Sequence, residues 1–209
     1  MASTSGRILD KKKNKKINVA ILGCGRIASF HAKAITANKN LRLIGICDLN
    51  NKRINTMLKL YKTNSYKNLH EMIKNENIDV IAICTPSGMH FPHAYEIIKS
   101  YKKHVVIEKP IVLNLSQLNK LNLIRKSKKV FIAPIHQYRF NKCVQRVKKA
   151  IKNKELGKIF YATVRMRWCR DKHYYSRDPW RGTYSHDGGC TTNQGIHHLD
   201  LLRYFFGEV

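Results

Sequence analysis

A glycine-containing turn between a strand and a helix is the feature that most constrains how this chain can fold. The apolar run Ile17–Leu22 predicts a short β-strand. Gly23, Gly25 and Ala28 follow it at the spacing Gly-x-Gly-x-x-Ala, and residues from Ser29 onward repeat apolar side chains at helical spacing. Gly23 permits a tight turn, Gly25 permits close approach of the backbone to a ligand, and Ala28 permits close packing of helix on strand. Because the first N–H groups of the helix point outward, the turn predicts a phosphate-binding site.

Strands and helices alternate up to residue 135. Further apolar runs predict strands at Leu41–Cys47, Ile78–Cys84, His104–Ile107 and Val130–Pro134. Helical spacing predicts helices at Asn51–Leu60, Asn68–Lys74, Phe91–Ser100 and Ser116–Ser127. Continuously apolar strands that alternate with helices are typical of a parallel sheet covered on both faces. We therefore predict an α/β fold, a doubly wound parallel Rossmann sheet.

The chain changes character after residue 135. Phe140–Lys154 predicts a basic amphipathic helix, Lys158–Trp168 alternates like an antiparallel strand, and Cys190–Phe206 predicts another helix. We expect this part to begin an α+β C-terminal domain whose antiparallel sheet is incomplete. The predicted division is a basic disordered tail over residues 1–16, a Rossmann domain over 17–135, and a partial substrate domain over 136–209.

Asp48 indicates which dinucleotide the turn would bind. It ends the second predicted strand, 23 residues after Gly25. A carboxylate at this position accepts hydrogen bonds from the ribose hydroxyls of adenosine and repels a 2′-phosphate, which favours NAD over NADP. Arg26 and Arg53 leave NADP open as the less favoured alternative.

The formal net charge of +27 raises the question of nucleic-acid binding. A basic surface can bind phosphate backbones, but the lysines are scattered, and the only dense cluster is Lys11–Lys16. Since no zinc-finger or aromatic-basic RNA motif accompanies them, we expect a solvated surface and no nucleic-acid partner. Such a surface still attracts anionic small molecules.

Apolar runs and cysteine spacing indicate the compartment. No run approaches the ~18 apolar residues of a membrane helix, and the N-terminus has no signal-peptide core. None of the 6 cysteines forms a Cys-x-x-Cys pair, and the 10 histidines show no metal-ligand spacing. We therefore expect a cytoplasmic protein with free thiols, no membrane contact and no metal.

Two short motifs suggest chemistry. Glu108-Lys109-Pro110 ends the fourth predicted strand, at the sheet edge where α/β proteins bind ligands. A lysine there can stabilise an alkoxide or relay a proton, although a lone lysine often only ends a strand. Asn193 and His197 lie four residues apart on one predicted helix face. A neutral imidazole can take a hydroxyl proton, although a structural histidine is the alternative.

The ordered set of motifs resembles the Gfo/Idh/MocA family of NAD(P)-dependent oxidoreductases, which act on sugars and polyols. The resemblance lies in residues 20–35, 47–50, 83–94, 106–111, 136–140 and 188–207. It implies that Lys109 and His197 carry the chemistry. It also implies cofactor contacts from Gly23, Gly25, Arg26, Ile27, Asp48, Thr85, Ser87, His90, Glu108, Gln137, Trp180 and Arg181. Many members have aspartate where this chain has Asn193, so His197 is the expected proton acceptor.

A narrower resemblance comes from Asp178–Thr183 (DPWRGT) and Asp187–Gly189 (DGG). These are similar to the branch that oxidises the 3-hydroxyl of UDP-N-acetylglucosamine or its uronic acid, for surface polysaccharide sugars. The implied substrate contacts are Arg165, Arg181, Asn193 and His198. Arginine suits phosphate or carboxylate through its bidentate fork. The alternative is that Trp180 and Arg181 only shape the cofactor pocket.

The family's C-terminal sheet is where this chain departs from the resemblance. Lys158–Trp168 is the only candidate strand after residue 135, so we expect it to be an unpaired or weakly paired edge. A full-length form is expected to be a homo-oligomer. The competing hypothesis for this chain is a non-catalytic dinucleotide-binding fragment.

Overall fold

The computed structural model describes residues 15–208, so the first 14 residues of the expected basic tail lie outside the described part. The strands β1 to β6 are Ile17–Leu22, Leu41–Cys47, Asn64–Tyr66, Val80–Ile83, His104–Ile107 and Ile132–Pro134. They form one six-stranded sheet in the order β3-β2-β1-β4-β5-β6. Every pairing in it is parallel. The chain order changes direction between β1 and β4, which confirms the doubly wound parallel sheet.

Helices connect the strands and continue after the last one. The helices α1 to α9 are Ala28–Ala37, Asn51–Leu60, Leu69–Asn75, His90–Tyr101, Leu115–Lys128, Lys142–Lys152, Lys172–Ser176, Tyr184–Asp187 and Ile196–Phe206. Short 3₁₀ turns lie at Ser87–Met89 and Gln137–Phe140, and a π-helical turn at Thr191–Gly195 leads into α9. Side chains of Asn50, Asn68, Asn114 and Asn141 cap the first turns of α2, α3, α5 and α6.

The apolar core lies on both faces of the sheet, as continuous apolar strands require. On one face Ile81 and Ile83 of β4 pack in a cluster with Ile97 of α4. On the other face Ile21 of β1 and Ile46 of β2 pack in a cluster that includes α1 and α2. All five of these side chains are fully buried. This core holds the carboxyl ends of β1, β2, β4 and β5 together at one edge.

Most differences from the sequence-based predictions lie after residue 135. Lys158–Trp168 has no strand pairing within residues 15–208 and is largely exposed, which agrees with the expected unpaired edge. The short helices α7 and α8 were not predicted, because their turns lie among glycine, proline and polar residues. Strand β3 was also missed, because Asn64 and Ser65 are polar.

The glycine turn is held by its close approach to β4. Gly23 has φ +94°, and its N–H donates to the carbonyl of Cys47 at 2.7 Å. A Cβ on Gly23 would lie 2.8 Å from the carbonyl carbon of Cys84. Ala28 is 0% exposed, so α1 begins directly against the sheet. The turn therefore has no room for a larger residue at its first glycine.

We expect Gly23→Ala to lower the free energy of unfolding by about 1–3 kcal/mol, because it combines a left-handed φ with a backbone clash. Urea unfolding of both proteins measures the loss. Gly25→Ala is the control, since a Cβ there meets no atom within 4 Å. Equal stability of Gly23→Ala and the parent chain would contradict the account of the turn.

Candidate functional site

The turn and Asp48 form a preorganised concave surface at the edge of β1 and β2. Asp48 Oδ2 accepts a hydrogen bond from Cys24 N at 2.7 Å, and Oδ1 accepts one from Asn50 N at 2.7 Å. Each carboxylate oxygen keeps a second lone pair for another donor. The space in front of Gly25 is open. An open glycine turn beside a fixed carboxylate has the shape and donor set that a dinucleotide requires.

The turn after β4 is tied down by a buried histidine. His90 is 1% exposed; its Nδ1 lies 2.6 Å from the carbonyl oxygen of Pro110, and its Nε2 lies 2.8 Å from that of Thr85. Burial lowers its pKa, whereas the hydrogen bonds with the two carbonyls act to raise it. Ser87 is 5% exposed. This geometry makes His90 a support beneath the cleft and does not favour the direct cofactor contact expected for it.

Glu108 lies at the end of β5 in contact with a residue that the sequence did not indicate. His31 Nε2 lies 2.7 Å from Glu108 Oε1, and Lys109 N donates to Oε2 at 3.2 Å. Glu108 is 7% exposed. His31 occupies the first turn of α1, immediately after the glycine turn. A single histidine within a helix belongs to no recognisable motif, so the contact between His31 and Glu108 could not be predicted from the sequence.

Lys109 connects the sheet to the C-terminal segment. Its Nζ donates to the backbone oxygen of Asn193 at 2.7 Å and to the side-chain Oδ1 at 2.9 Å. Burial lowers the pKa of Lys109, whereas the nearby carboxylate of Glu108 raises it. Asn193 lies in the π-helical turn before α9, a distortion frequent at functional sites. Lys109 is thus a half-buried ammonium group at the carboxyl edge of the sheet.

His197 lies at the start of α9, four residues after Asn193. It is 5% exposed and stacks on Tyr138, with ring centroids 4.4 Å apart. Its Nδ1 is buried and has no hydrogen-bond partner among residues 15–208. Burial, with the positive charge of Lys109, lowers the pKa of His197 from 6.5 to about 4. The ring is therefore neutral at pH 7 and able to accept a proton.

The anchor of α9 is Asp200. Its carboxylate accepts a hydrogen bond from Arg139 Nε at 2.8 Å and is 9% exposed. Arg139 belongs to the 3₁₀ turn that also carries Tyr138. The ion pair thereby fixes both His197 and the ring that stacks on it.

A cavity of about 470 Å³ opens beside Asn193. Its lining includes Tyr174, Arg181, Gly182, Asp187, Asn193 and Gln194. Arg181 Nε donates to Asp178 Oδ2 at 3.0 Å, and Arg53 of α2 donates to Asp178 Oδ1 at 3.0 Å. Asp178 therefore links the cavity wall to the helix that follows Asp48.

The remaining expected site residues differ in solvent exposure and in their contacts. Ile27 and Trp180 are half-buried, whereas Arg26 and Gln137 are exposed. His198 packs edge-on against Tyr138 with centroids 6.1 Å apart. Arg165 is exposed on the unpaired segment and does not line the cavity, so the structure does not bring it to the site as expected.

Residues 15–208 contain neither a membrane-spanning helix nor a metal-ligand cluster. No helix there is long and apolar enough to cross a membrane. No group of three or more histidine, cysteine, aspartate or glutamate residues is placed there to hold a metal ion. The three cysteines at the strand ends, Cys24, Cys47 and Cys84, are buried free thiols, and burial raises the pKa of each.

Comparison with known proteins places this site in a family. Residues 17–136 match the oxidoreductase family Gfo/Idh/MocA, described as an NAD-binding Rossmann fold, and residues 144–209 match a C-terminal domain of the same family. The chain therefore belongs to the Gfo/Idh/MocA oxidoreductase family. The expected NAD-binding Rossmann fold is thus confirmed.

Several relatives are dehydrogenases. The structure is similar to WlbA dehydrogenase of Bordetella pertussis in complex with NADH and UDP-GlcNAcA (TM-score 0.88, 33% identity, 93% of this chain and 56% of that one). Myo-inositol 2-dehydrogenase of Thermotoga maritima is 28% identical, over 92% of this chain and 55% of its own length. Glucose-6-phosphate 3-dehydrogenase of Bacillus subtilis is 28% identical, over 90% and 53%. The chain spans about half the length of these relatives.

The lowered pKa of His197 predicts a pH dependence of stability. Between pH 6.5 and about 4 the unfolded chain binds a proton at this position that the folded chain does not. The free energy of unfolding should therefore fall by about 1–2 kcal/mol between pH 7 and pH 5 through this residue alone. Urea unfolding of His197→Asn should show a correspondingly smaller decrease. The exposed His186→Asn is the control, and an unchanged decrease in His197→Asn would disprove the assignment.

Proposed function

We propose that this chain is the dinucleotide-binding and catalytic part of an NAD-dependent dehydrogenase that oxidises a secondary hydroxyl of a sugar. The observation that carries the proposal is the joining of Lys109 to the His197 helix at the edge of the sheet where the glycine turn lies. A half-buried ammonium group and a buried neutral imidazole are the two groups that deprotonation of an alcohol needs. We assign binding of the dinucleotide to residues 17–135, and residues 136–209 to the substrate domain.

The cofactor would lie along the glycine turn. Gly23, Gly25, Arg26 and Ile27 form its phosphate-binding backbone in this proposal, and Asp48 holds the adenosine ribose. Bound NAD supplies a hydride acceptor for the sugar carbon. Glu108, which His31 holds in place, would contact the nicotinamide end of the cofactor. Thr85, Ser87 and Trp180 form the surrounding wall.

Proton transfer in the proposal belongs to Lys109 and His197. The ammonium group of Lys109 stabilises negative charge on the substrate oxygen. The imidazole of His197, neutral because burial lowers its pKa, accepts the hydroxyl proton. Tyr138 keeps the ring plane fixed by stacking, which preserves the geometry of the transfer.

The substrate in this proposal is a UDP-N-acetylhexosamine or its uronic acid, oxidised at the 3-hydroxyl for surface polysaccharide sugars. WlbA, which was crystallised with UDP-GlcNAcA, supports this class, and two other relatives named above also act on sugars or polyols. The cavity beside Asn193 is large enough for a sugar ring and part of a nucleotide. Asn193 and Arg181 line this cavity and are proposed substrate contacts. His198, which is not part of the lining, is the third proposed contact.

The proposed cofactor contact is tested at Gly25. Gly25→Ala places a methyl group in the open space in front of the turn, where the pyrophosphate would lie. Because that space contains no protein atom, the substitution should leave thermal unfolding unchanged while weakening NADH binding by at least ~10-fold. Calorimetric titration with NADH measures the affinity. Unchanged affinity for NADH would contradict binding of the cofactor at this turn.

The proposed chemistry is tested at Lys109 and His197. Lys109→Met and His197→Ala should each lower turnover of UDP-N-acetylglucosaminuronate by about 10²–10⁴-fold, because each removes one proton-handling group. NADH affinity should change little. The exposed His70→Ala, on the distant helix α3, is the control and should keep full turnover. NADH binding with no turnover of any sugar by the parent chain would favour the non-catalytic alternative.

A further inference from the structure

His31 and Glu108 join the helix that follows the glycine turn to the strand that ends beside Lys109. His31 Nε2 lies 2.7 Å from Glu108 Oε1. The second carboxylate oxygen, Oε2, accepts a hydrogen bond from the backbone N–H of Lys109 at 3.2 Å. The side chains of His31 and Glu108 are only 15% and 9% exposed. These two contacts therefore fix both oxygens of a largely buried carboxylate next to Lys109.

Within residues 15–208, no lysine or arginine side chain forms an ion pair with Glu108. Its hydrogen-bond partners there are the imidazole of His31 and the backbone N–H of Lys109. The ammonium group of Lys109 donates to Asn193 instead. A neutral imidazole that donates its Nε2–H orients a carboxylate and leaves it charged, and each oxygen keeps a free lone pair. Glu108 therefore places an oriented negative charge at the carboxyl end of β5.

The order of the strands places this charge at one end of the proposed cofactor path. Asp48 follows β2, the glycine turn follows β1 and Glu108 follows β5, and the sheet runs β2-β1-β4-β5. A dinucleotide with its adenosine ribose at Asp48 and its pyrophosphate at the glycine turn extends across β4 toward β5. Neighbouring strands lie ~4.8 Å apart, so β5 is about 10 Å from β1. That distance suits a ribose with its nicotinamide ring, which would bring the ring beside Glu108.

We propose that Glu108 is a specificity-determining residue for the redox state of the cofactor, and that His31 is a positioning residue that acts through it. This inference rests on the proposed function and adds to it a selection between NAD and NADH. The nicotinamide ring carries a positive charge when oxidised and none when reduced, whereas the rest of the dinucleotide is the same. A carboxylate fixed beside the ring therefore stabilises the oxidised form, and little water lies between them to screen the attraction.

Lys109 gives the site a reason for this negative charge. Its ammonium group stabilises negative charge on the substrate oxygen in the proposed reaction, but the same group repels an oxidised nicotinamide ring. Glu108 offsets that repulsion from the next position in the chain. The two adjacent residues thus act on different partners, and the carboxylate favours loading of the form of the cofactor that the oxidation consumes.

Calorimetric titrations with NAD, NADH and ADP-ribose, which lacks nicotinamide, measure the selection. They are made at about pH 7.5, roughly one unit above the ordinary pKa of histidine. The variants are Glu108→Gln, His31→Ala, His31→Gln and the double variant of Glu108→Gln with His31→Ala. Glu96→Gln is the matched control, because Glu96 also contacts a histidine, His70, at 3.2 Å, in a pair whose side chains are 41% and 54% exposed.

We expect Glu108→Gln to weaken NAD binding by ~10-fold or more and to change the affinities for NADH and ADP-ribose by less than ~3-fold. His31→Ala should shift the ratio of the NAD and NADH dissociation constants in the same direction by a smaller factor. His31→Gln, whose amide can still donate to the carboxylate, should restore the ratio of the parent chain. The double variant should match Glu108→Gln, because His31 acts only through Glu108. Glu96→Gln should match the parent chain.

Two results would overturn the inference and leave the proposed function standing. One is an equal change in the affinities for NAD and NADH in Glu108→Gln, which would give its carboxylate a structural role only. The other is a double variant whose ratio exceeds that of Glu108→Gln, which would show that His31 acts independently. Retained ADP-ribose binding shows that a variant is folded. If Glu108→Gln does not fold, an equal ratio in His31→Ala and the parent chain overturns the inference.

Failure of the proposed function would look different. A parent chain that binds neither NAD nor NADH would reject the proposed cofactor site, and the inference with it.

Discussion

The hydrogen bonds from the Lys109 ammonium group to Asn193 are the interaction on which the site depends. An ammonium group taken out of water without partners is costly, and the two oxygens of Asn193 satisfy two of its three donors. The same bonds attach the π-helical turn, and with it α9, to the carboxyl end of β5. His197 follows one turn later, so Lys109 also helps to set the position of the proposed proton acceptor.

The parallel sheet positions the remaining residues of the candidate site. Because β1, β2, β4 and β5 are parallel neighbours, their carboxyl ends bring the glycine turn, Asp48, the Thr85 turn and Glu108 to one edge. Gly23 fits there only because it has no side chain, and His31 and His90 tie adjacent elements together beneath the cleft. These contacts hold the carboxyl edge of the sheet, where we propose that the cofactor binds, in a fixed geometry. The segment 158–168, which has no strand pairing within residues 15–208, is not part of this edge.

Much of the fold was predictable from the sequence, and less of the site. Five strands and the doubly wound order follow from apolar runs and the glycine turn, but β3 contains polar Asn64 and Ser65 and carries no such pattern. Lys109 and His197 were predictable because each lies in a motif. His31 was not, since its contact with Glu108 joins segments far apart in the chain. Arg165 was expected at the substrate and is exposed instead, because the spacing of arginines does not tell which one the loop turns inward.

In the proposed reaction, a sugar carbon next to Lys109 and His197 loses hydride to NAD. Incubation of the purified chain with NAD and UDP-N-acetylglucosaminuronate deuterated at C3 tests it directly, with the reduced cofactor and the sugar analysed by mass spectrometry. The account predicts one deuterium on the reduced nicotinamide for each 3-keto sugar formed, and slower turnover than with the unlabelled sugar. Reduced cofactor without deuterium, or no keto sugar at all while NAD binds, would contradict it.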